Sequence, residues 1–547
     1  MSGTTAVPAR GRSEHMPGRP RDRAVPGRVA GVIGAATLVA LGLRLAELAG
    51  PNLLGVTQYD DGVYFGSAVR LVHGILPYRD FYLVQPPVIT LLMAPAALAS
   101  KVVGTAWGMA AGRVLTVLAS TASVTLTGLL VRHRGLLAVA AACGIMAVYP
   151  GNLEAAHTVF VEPWLVLFCL AGAVILVDGD VLATGCRRLA AGGAALGVAG
   201  ATEAWAVFPF AVALALVLAL PGTPGCLRRR RAAAFAAGTA AGFCVPVLPF
   251  AAVAPRGIYR SLVTSQVGRV TVPVPLSFRL RLMTATGQLP GLSHLAVTVI
   301  AIALAALIAA LVLAASLASR RPPPPLETFA LATAALVVAA FLWYPQFFPH
   351  FPAFLAPFLA TALALPAARL AEGARRRSRA GPPDRGRPPP AARTWAPAGV
   401  ALLVIGLGAA TQAGLVASLG ARMKPSYIAA ARRIIPPGAC IATDEVSILI
   451  AADRFSPGLP GCSPMVDGLA TDYALSHGRN GQTGAGRVPA VAAAWRDMFT
   501  HARYAWLSGQ VSARRIAWTP ALRAYFRAHF RPVLSDPRND VLYVRRG

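Results

Sequence analysis

The sequence predicts an all-α polytopic membrane protein of about eleven to thirteen helices with a small C-terminal α/β domain. Three observations lead there. Hydrophobic residues make up 56% and charged residues 13% of the 547, and the mean hydropathy is +0.58, far more apolar than a soluble domain. The formal charge of +29 is carried almost wholly by Arg, in short runs between apolar segments, the pattern of cytoplasmic loops. Residues 420–547 alone have a soluble composition.

The Arg runs set the topology. They are "RGRSEHMPGRPRDR" in a basic, disordered tail over 1–28, "RHR" at 132–134, "RRRR" at 228–231, "RRPPPP" at 320–325 and "ARRRSRAGPPDRGR" at 374–387 within a cytoplasmic linker over 370–394. With these inside, the apolar run 29–49 reads as an uncleaved anchor, and further spans fall near 111–131, 135–150, 160–178, 189–203, 204–220, 232–252, 293–318, 327–344, 351–369 and 396–419. Alternation holds if 86–104 makes no net crossing. Segments 50–85, 149–159, 202–204, 253–292, 345–350 and everything after 420 then share the outer face of the plasma membrane. Because the Arg residues mark loops, nucleic acid is excluded as a partner; membrane lipids are expected to meet them.

In the C-terminal segment, "CIATDEVSILIAAD" and "DVLYVRR" read as strand-forming and "VPAVAAAWRDMFTHARYAWL" as helical. The segment is basic, which suits an anionic membrane surface, a phosphate-bearing or acidic glycan, or a plain solvated surface. "TDE" at 443–445 reads as an ordinary strand-to-turn segment. Cys440 and Cys462 fall here, and an oxidising compartment permits a disulfide between them. There is no CxxC, HExxH or phosphate-cradling loop with Lys and Ser/Thr, which disfavours an ATP-driven pump.

The stretch "YDDGVYFGSAVRLVHGILPYRDFYLVQPP" at 59–87 opens with two adjacent carboxylates, Asp60 and Asp61. Beside a membrane span such a pair is costly unless water or a site uses its charge. An acidic pair at the start of a long outer loop, followed by "GILPYRDFYLVQPP" leading back to the membrane, resembles the GT-C type of integral-membrane glycosyltransferases. Protein mannosyltransferases, aminoarabinose transferases and actinobacterial arabinofuranosyltransferases are of this type. "TVFVEPWLVLFCLAGA" looks like their second acidic site, with Glu162 in the matching place. "GVAGATEAWAVFP" is similar to an outer turn where the family commonly has Lys; here the position is Glu203.

The resemblance implies transfer of a sugar from a polyprenyl-phosphate carrier to an acceptor hydroxyl on a glycan, glycolipid or protein. Asp60 is the candidate base, since a hydroxyl needs its proton removed as it attacks. Asp61 would raise the Asp60 pKa if both point inward, or would orient the acceptor or cap the helix. Arg79, Arg269 and His350 are candidates to meet the leaving phosphate, and Gln85 and Gln266 are further donor-binding candidates. Glu162 would position a sugar hydroxyl, help Asp60 hold a divalent ion (magnesium or manganese), or simply favour the helix dipole. Glu203 could equally pair with an Arg, "QFFPHF" around His350 could be an aromatic belt, and Gln85-Pro86-Pro87 could only break a helix. The rival reading is a transporter or flippase of a lipid-linked saccharide.

Overall fold

The computed structural model describes residues 27–220, 224–267, 274–287, 289–379, 408, 412, 423, 425–458, 462, 465–476, 488–509, 515–537 and 540–547. The expectations for the N-terminal tail, for Arg269, for the linker beyond 379 and for nearly all of the span at 396–419 lie outside the described residues.

Lipid offers no partner to backbone N–H and C=O groups, so apolar runs close their hydrogen bonds internally as helices. The chain runs through α1 (Gly27–Glu47), α2 (Tyr59–Leu71), α3 (Val88–Val103), α4 (Thr105–Val131), α5 (Leu136–Val148), α6 (Pro150–Ala156) and α7 (Glu162–Leu176). A two-stranded hairpin, β1 (Val177–Asp178) and β2 (Val181–Leu182), leads to α8 (Cys186–Gly200), α9 (Val207–Leu218) and α10 (Gly225–Val253). Short α11 (Pro255–Tyr259), α12 (Ser265–Val267) and α13 (Leu276–Met283) precede α14 (His294–Ser319), α15 (Pro325–Trp343) and α16 (Pro352–Arg379). Among the described residues, six helices are long and apolar enough to cross a membrane, namely α1, α4, α10, α14, α15 and α16; α5 and α6, bent by 50° between Val148 and Pro150, form either a broken seventh span or a re-entrant loop. Helices α3, α7 and α9 are apolar but shorter. The protein is a multi-pass membrane protein. The first ten residues of the expected linker prove helical, as the last turns of α16.

α14 shows why composition and burial must be read together. It is apolar throughout, yet within it only Val297 and Ala315 are buried, as suits a helix surrounded by lipid. Several buried charges of the bundle are instead paired. Arg369 of α16 donates to Glu327 of α15 at 2.8 Å and to the Ser316 hydroxyl of α14 at 3.1 Å, which ties three helices together at the Arg-rich end. There Arg134 also pairs with Asp180 and Glu372.

The C-terminal domain holds α17 (Pro425–Ile434), β3 (Ile441–Thr443), α18 (Val446–Ala451), α19 (Gly468–Leu475), α20 (Pro489–His501), β4 (Tyr504–Leu507), α21 (Pro520–His529), β5 (Phe530–Ser535) and β6 (Val541–Arg545). The sheet order is β3-β4-β6-β5, with β3 parallel to β4 and the other pairs antiparallel. Pro532, which lacks an N–H, sits on edge strand β5 where the register shifts. Cys440 and Cys462 form a disulfide with a Cα–Cα distance of 5.7 Å.

This domain docks on α2. The Gly62 amide donates to the Ser447 hydroxyl at 3.1 Å, and that hydroxyl donates to the Gln58 carbonyl at 2.6 Å. A Cβ at Gly62 would lie 2.2 Å from the Ser447 nitrogen, so only glycine permits the approach.

Candidate functional site

Helix α2 starts immediately after the extended Gln58, which places Tyr59, Asp60 and Asp61 in its first turn, where the helix dipole favours negative charge. Successive residues on a helix project about 100° apart, and the two aspartates part company accordingly. Asp60 faces a cavity of about 630 Å³. Asp61 is fully buried on the other side, ion-paired with Arg113 of α4 and accepting the Val159 amide at 3.0 Å. Arg113 also donates to the carbonyls of Asn52, Leu53 and Gly55 at 2.6, 2.8 and 2.9 Å. Asp61 therefore fixes the loop before α2 and does not face the cavity beside Asp60, a correction to the inward-pointing pair.

The cavity gathers the segments that the Arg rule places on one face. Its walls include Tyr59, Asp60, Tyr64, Gln85, Glu162, Glu203, Gln266, Gln346 and His350, together with Asp467, Tyr473 and Arg515 of the C-terminal domain. Four carboxylates converge on it. Burial, and then the fields of Asp60, Glu162, Glu203 and Asp467, hold the Tyr64 phenol protonated, well above its ordinary pKa.

Each of these groups is positioned locally. Glu162 opens α7 with Pro163 behind it, a residue whose missing N–H costs nothing in the first turn. Its Oε1 lies 3.6 Å from His350 Nε2, and the His350 ring stacks on Phe160 at 4.1 Å. Burial, with His157 adding to it, pushes the His350 imidazole down to about 3, so it is neutral. Glu203 caps the turn before α9 by accepting the Ala204 amide at 3.3 Å. The Gln85 carbonyl accepts from the Tyr78 hydroxyl at 2.6 Å, and Gln266 Nε2 donates to the Val84 carbonyl at 3.0 Å, which holds the 78–85 strap against the cavity. Glu162 Oε2 and Gln85 Oε1 are buried with no hydrogen-bond partner among the described residues, the condition of acceptors that a ligand would complete.

Arg79 is placed elsewhere. It forms an ion pair with Asp80 at 2.8 Å and lines a second cavity with Arg70, Arg256 and Arg260. Among the described residues no three His, Cys, Asp or Glu side chains are grouped to hold a metal.

Besides Tyr59, Tyr64 and Gln346, the residues that the sequence left unmarked include a group from the C-terminal domain. The Tyr59 hydroxyl donates to Asp467 Oδ1 at 2.9 Å, and the Arg515 guanidinium lies over the Tyr59 ring at 4.2 Å. Asp467 carries an N-cap signal, accepting the Ala470 amide at 2.9 Å. Nothing in the sequence ties it or Arg515 to a tyrosine some four hundred positions away. The "TDE" segment proves more than a turn. Asp444 accepts the Ser508 amide at 2.8 Å, and Glu445 ion-pairs with Arg515.

No protein-family model matches the sequence, and no curated protein sequence matches it. Solved structures do. ArnT from Cupriavidus metallidurans bound to undecaprenyl phosphate superposes with a TM-score of 0.57 at 15% identity, covering 95% of this chain and 98% of that one. Its apo state gives 0.56 at 14% identity, covering 94% and 98%. The Archaeoglobus fulgidus oligosaccharyltransferase in the apo form gives 0.50 at 13% identity, covering 95% of this chain and 74% of that one. At these identities the likeness is one of fold, and the chain has the GT-C fold of integral-membrane glycosyltransferases.

Proposed function

We propose that the protein is a glycosyltransferase that moves a sugar from a polyprenyl-phosphate carrier to an acceptor hydroxyl, in cell-envelope glycan or glycolipid assembly at the outer face of the plasma membrane. The observation that carries this is the convergence of Asp60, Glu162, Glu203 and Asp467 around Tyr64 in one cavity. The fold is shared with ArnT, whose structure holds undecaprenyl phosphate, and the cavity mixes apolar walls such as Trp205, Phe208, Leu262 and Phe348 with these polar groups. A lipid carrier needs both.

In this reading Asp60 takes the proton of the acceptor hydroxyl while its oxygen bonds to the anomeric carbon. The bond from that carbon to the phosphate oxygen breaks, the electron pair leaves with the phosphate, and configuration inverts in the single displacement. Neutral His350 and the unpartnered Glu162 Oε2 supply hydrogen-bonding groups for sugar hydroxyls. Purified protein is expected to release polyprenyl phosphate from a labelled polyprenyl-phosphate sugar. Asp60→Asn is expected to lower kcat by about 10²–10⁴ with the melting temperature unchanged. Movement of the intact lipid-linked saccharide across a vesicle without release of polyprenyl phosphate would replace this reading with the transporter one.

A further inference from the structure

The cavity poses an electrostatic problem. Asp60, Glu203 and Asp467 line it beside Glu162 and no described lysine does, so a phosphate entering it meets several groups of its own sign. Among the described residues that line the cavity, Arg515 is the one with a permanent positive charge. We propose that this arginine, contributed by the C-terminal domain, receives the phosphate of the polyprenyl-linked donor. The inference rests on the transfer reading above and names the group that meets the departing charge.

Its geometry suits the task. Arg515 Nη1 donates to Glu445 and, at 3.4 Å, to the Ser508 hydroxyl. No hydrogen bond among the described residues engages Nε or Nη2, and that edge of the guanidinium offers two parallel N–H donors to a pair of phosphate oxygens. The flat face rests on Tyr59, the residue preceding Asp60, so the cation is held one helix position from the proposed base. Burial opposes the charge, but Glu445 and Asp444 outweigh it and keep the side chain protonated. Glu445 is fully buried immediately before α18 and fixes the guanidinium from behind. An arginine whose rotamer is already locked loses little freedom when it binds a ligand. Arg79 does not compete for the role, because it lines the other cavity.

Arg515 could instead serve only to pin the domain to α2 through Glu445 and Tyr59. The test separates these roles with the full-length protein in nanodiscs and undecaprenyl phosphate as the probe, read by intrinsic tryptophan fluorescence. Arg515→Gln is expected to weaken binding by about 10–100-fold, the worth of a charge-assisted hydrogen-bond pair. Arg515→Lys is expected to recover part of that loss. Glu445→Gln, which removes the ion pair but keeps the guanidinium and an amide oxygen for Nη1, is expected to weaken binding clearly less than Arg515→Gln does. Unchanged binding in Arg515→Gln, or equal losses in Arg515→Gln and Glu445→Gln, would overturn the inference. A wild type that binds the probe through Arg515 and yet releases none from a donor refutes the transfer reading while the phosphate site stands; a wild type that does not bind it refutes the site.

Discussion

Two neighbouring aspartates of one helical turn carry different roles, and their surroundings assign them. Asp60 borders the cavity, whereas Asp61 is buried against Arg113. Breaking a buried ion pair by removing one partner strands the other, at about 3–5 kcal/mol. Arg113→Met is therefore expected to lower the unfolding midpoint sharply and to release the 52–57 loop to proteolysis. Asp61→Asn should lower the midpoint too, since an amide has one oxygen and can accept at the position facing Arg113 or at the one facing the Val159 amide, with its NH2 left against the other donor. Asp60→Asn should leave it alone. Thermal unfolding followed by tryptophan fluorescence checks all three, and a larger loss of stability in Asp60→Asn than in Asp61→Asn would reverse the assignment. The sequence presented the aspartates as a pair; which one is spent on structure depended on Arg113, invisible as a partner because it lies in the middle of an apolar run.

At the scale of elements, the closest packing is between α8 and α10. Gly193 and Gly197 on one helix face Gly238 and Gly242 on the other, each pair spaced four residues apart. Without a hydrophobic driving force in lipid, such small-residue faces let backbones approach and gain dispersion contact. A Cβ at Gly238 would lie 2.0 Å from the Ala190 carbonyl oxygen and one at Gly197 2.1 Å from that of Thr239. Backbone atoms cannot step aside as a side-chain tip can, so Gly238→Leu is expected to exceed the usual overpacking cost of about 1–3 kcal/mol. Gly200→Ala, whose Cβ meets Phe243 at an ordinary 3.6 Å, serves as the tolerant control. Monodispersity in size-exclusion chromatography and the melting temperature report the difference. Because the turn after α8 delivers Glu203 to the cavity, the Leu variant should also lose activity. The span pattern was legible in hydropathy, and the bounds of α3, α7, α8 and α9 follow it to within a few residues; which helix faces pack against protein and which against lipid depends on their surroundings.

At the scale of the whole molecule, α19 of the C-terminal domain separates the two cavities. Asp467 at its N-cap, with Leu469, Ala470 and Tyr473, faces the carboxylate-lined one, and Thr471 and Leu475 the Arg-lined one. Asp472 of this helix is buried and accepts the Trp495 indole N–H at 3.2 Å. Burial raises its pKa to about 8, and burial raises that of Asp444 to about 6. An unfolded aspartate releases its proton near pH 4, so between there and these values the folded state holds protons that the unfolded chain has lost. Stability therefore falls as pH rises, by up to about 1.4 kcal/mol per pH unit for each proton, and levels off above about pH 8. Asp472→Asn keeps an acceptor for Trp495 and removes the titration, so its melting temperature is expected to be flat from about pH 6 to 8 where the wild type declines. A wild-type midpoint that climbs across that range would contradict the placement of Asp472.

By itself the sequence determined the membrane-spanning class, the small C-terminal α/β region and the acidic stretch at 59–61, while the Arg run at 228–231, expected in a loop, lies in the first turns of α10. These follow from local composition and short-range pattern, which a bilayer reads one segment at a time. The tertiary structure alone decided that Asp61 is spent on Arg113, that Arg79 lies apart, and that Asp467 and Arg515 complete the cavity from the far end of the chain. Those outcomes depend on which side chains meet across hundreds of residues, and a meeting of that kind is fixed by packing and charge compensation in three dimensions, with no trace in the spacing along the chain.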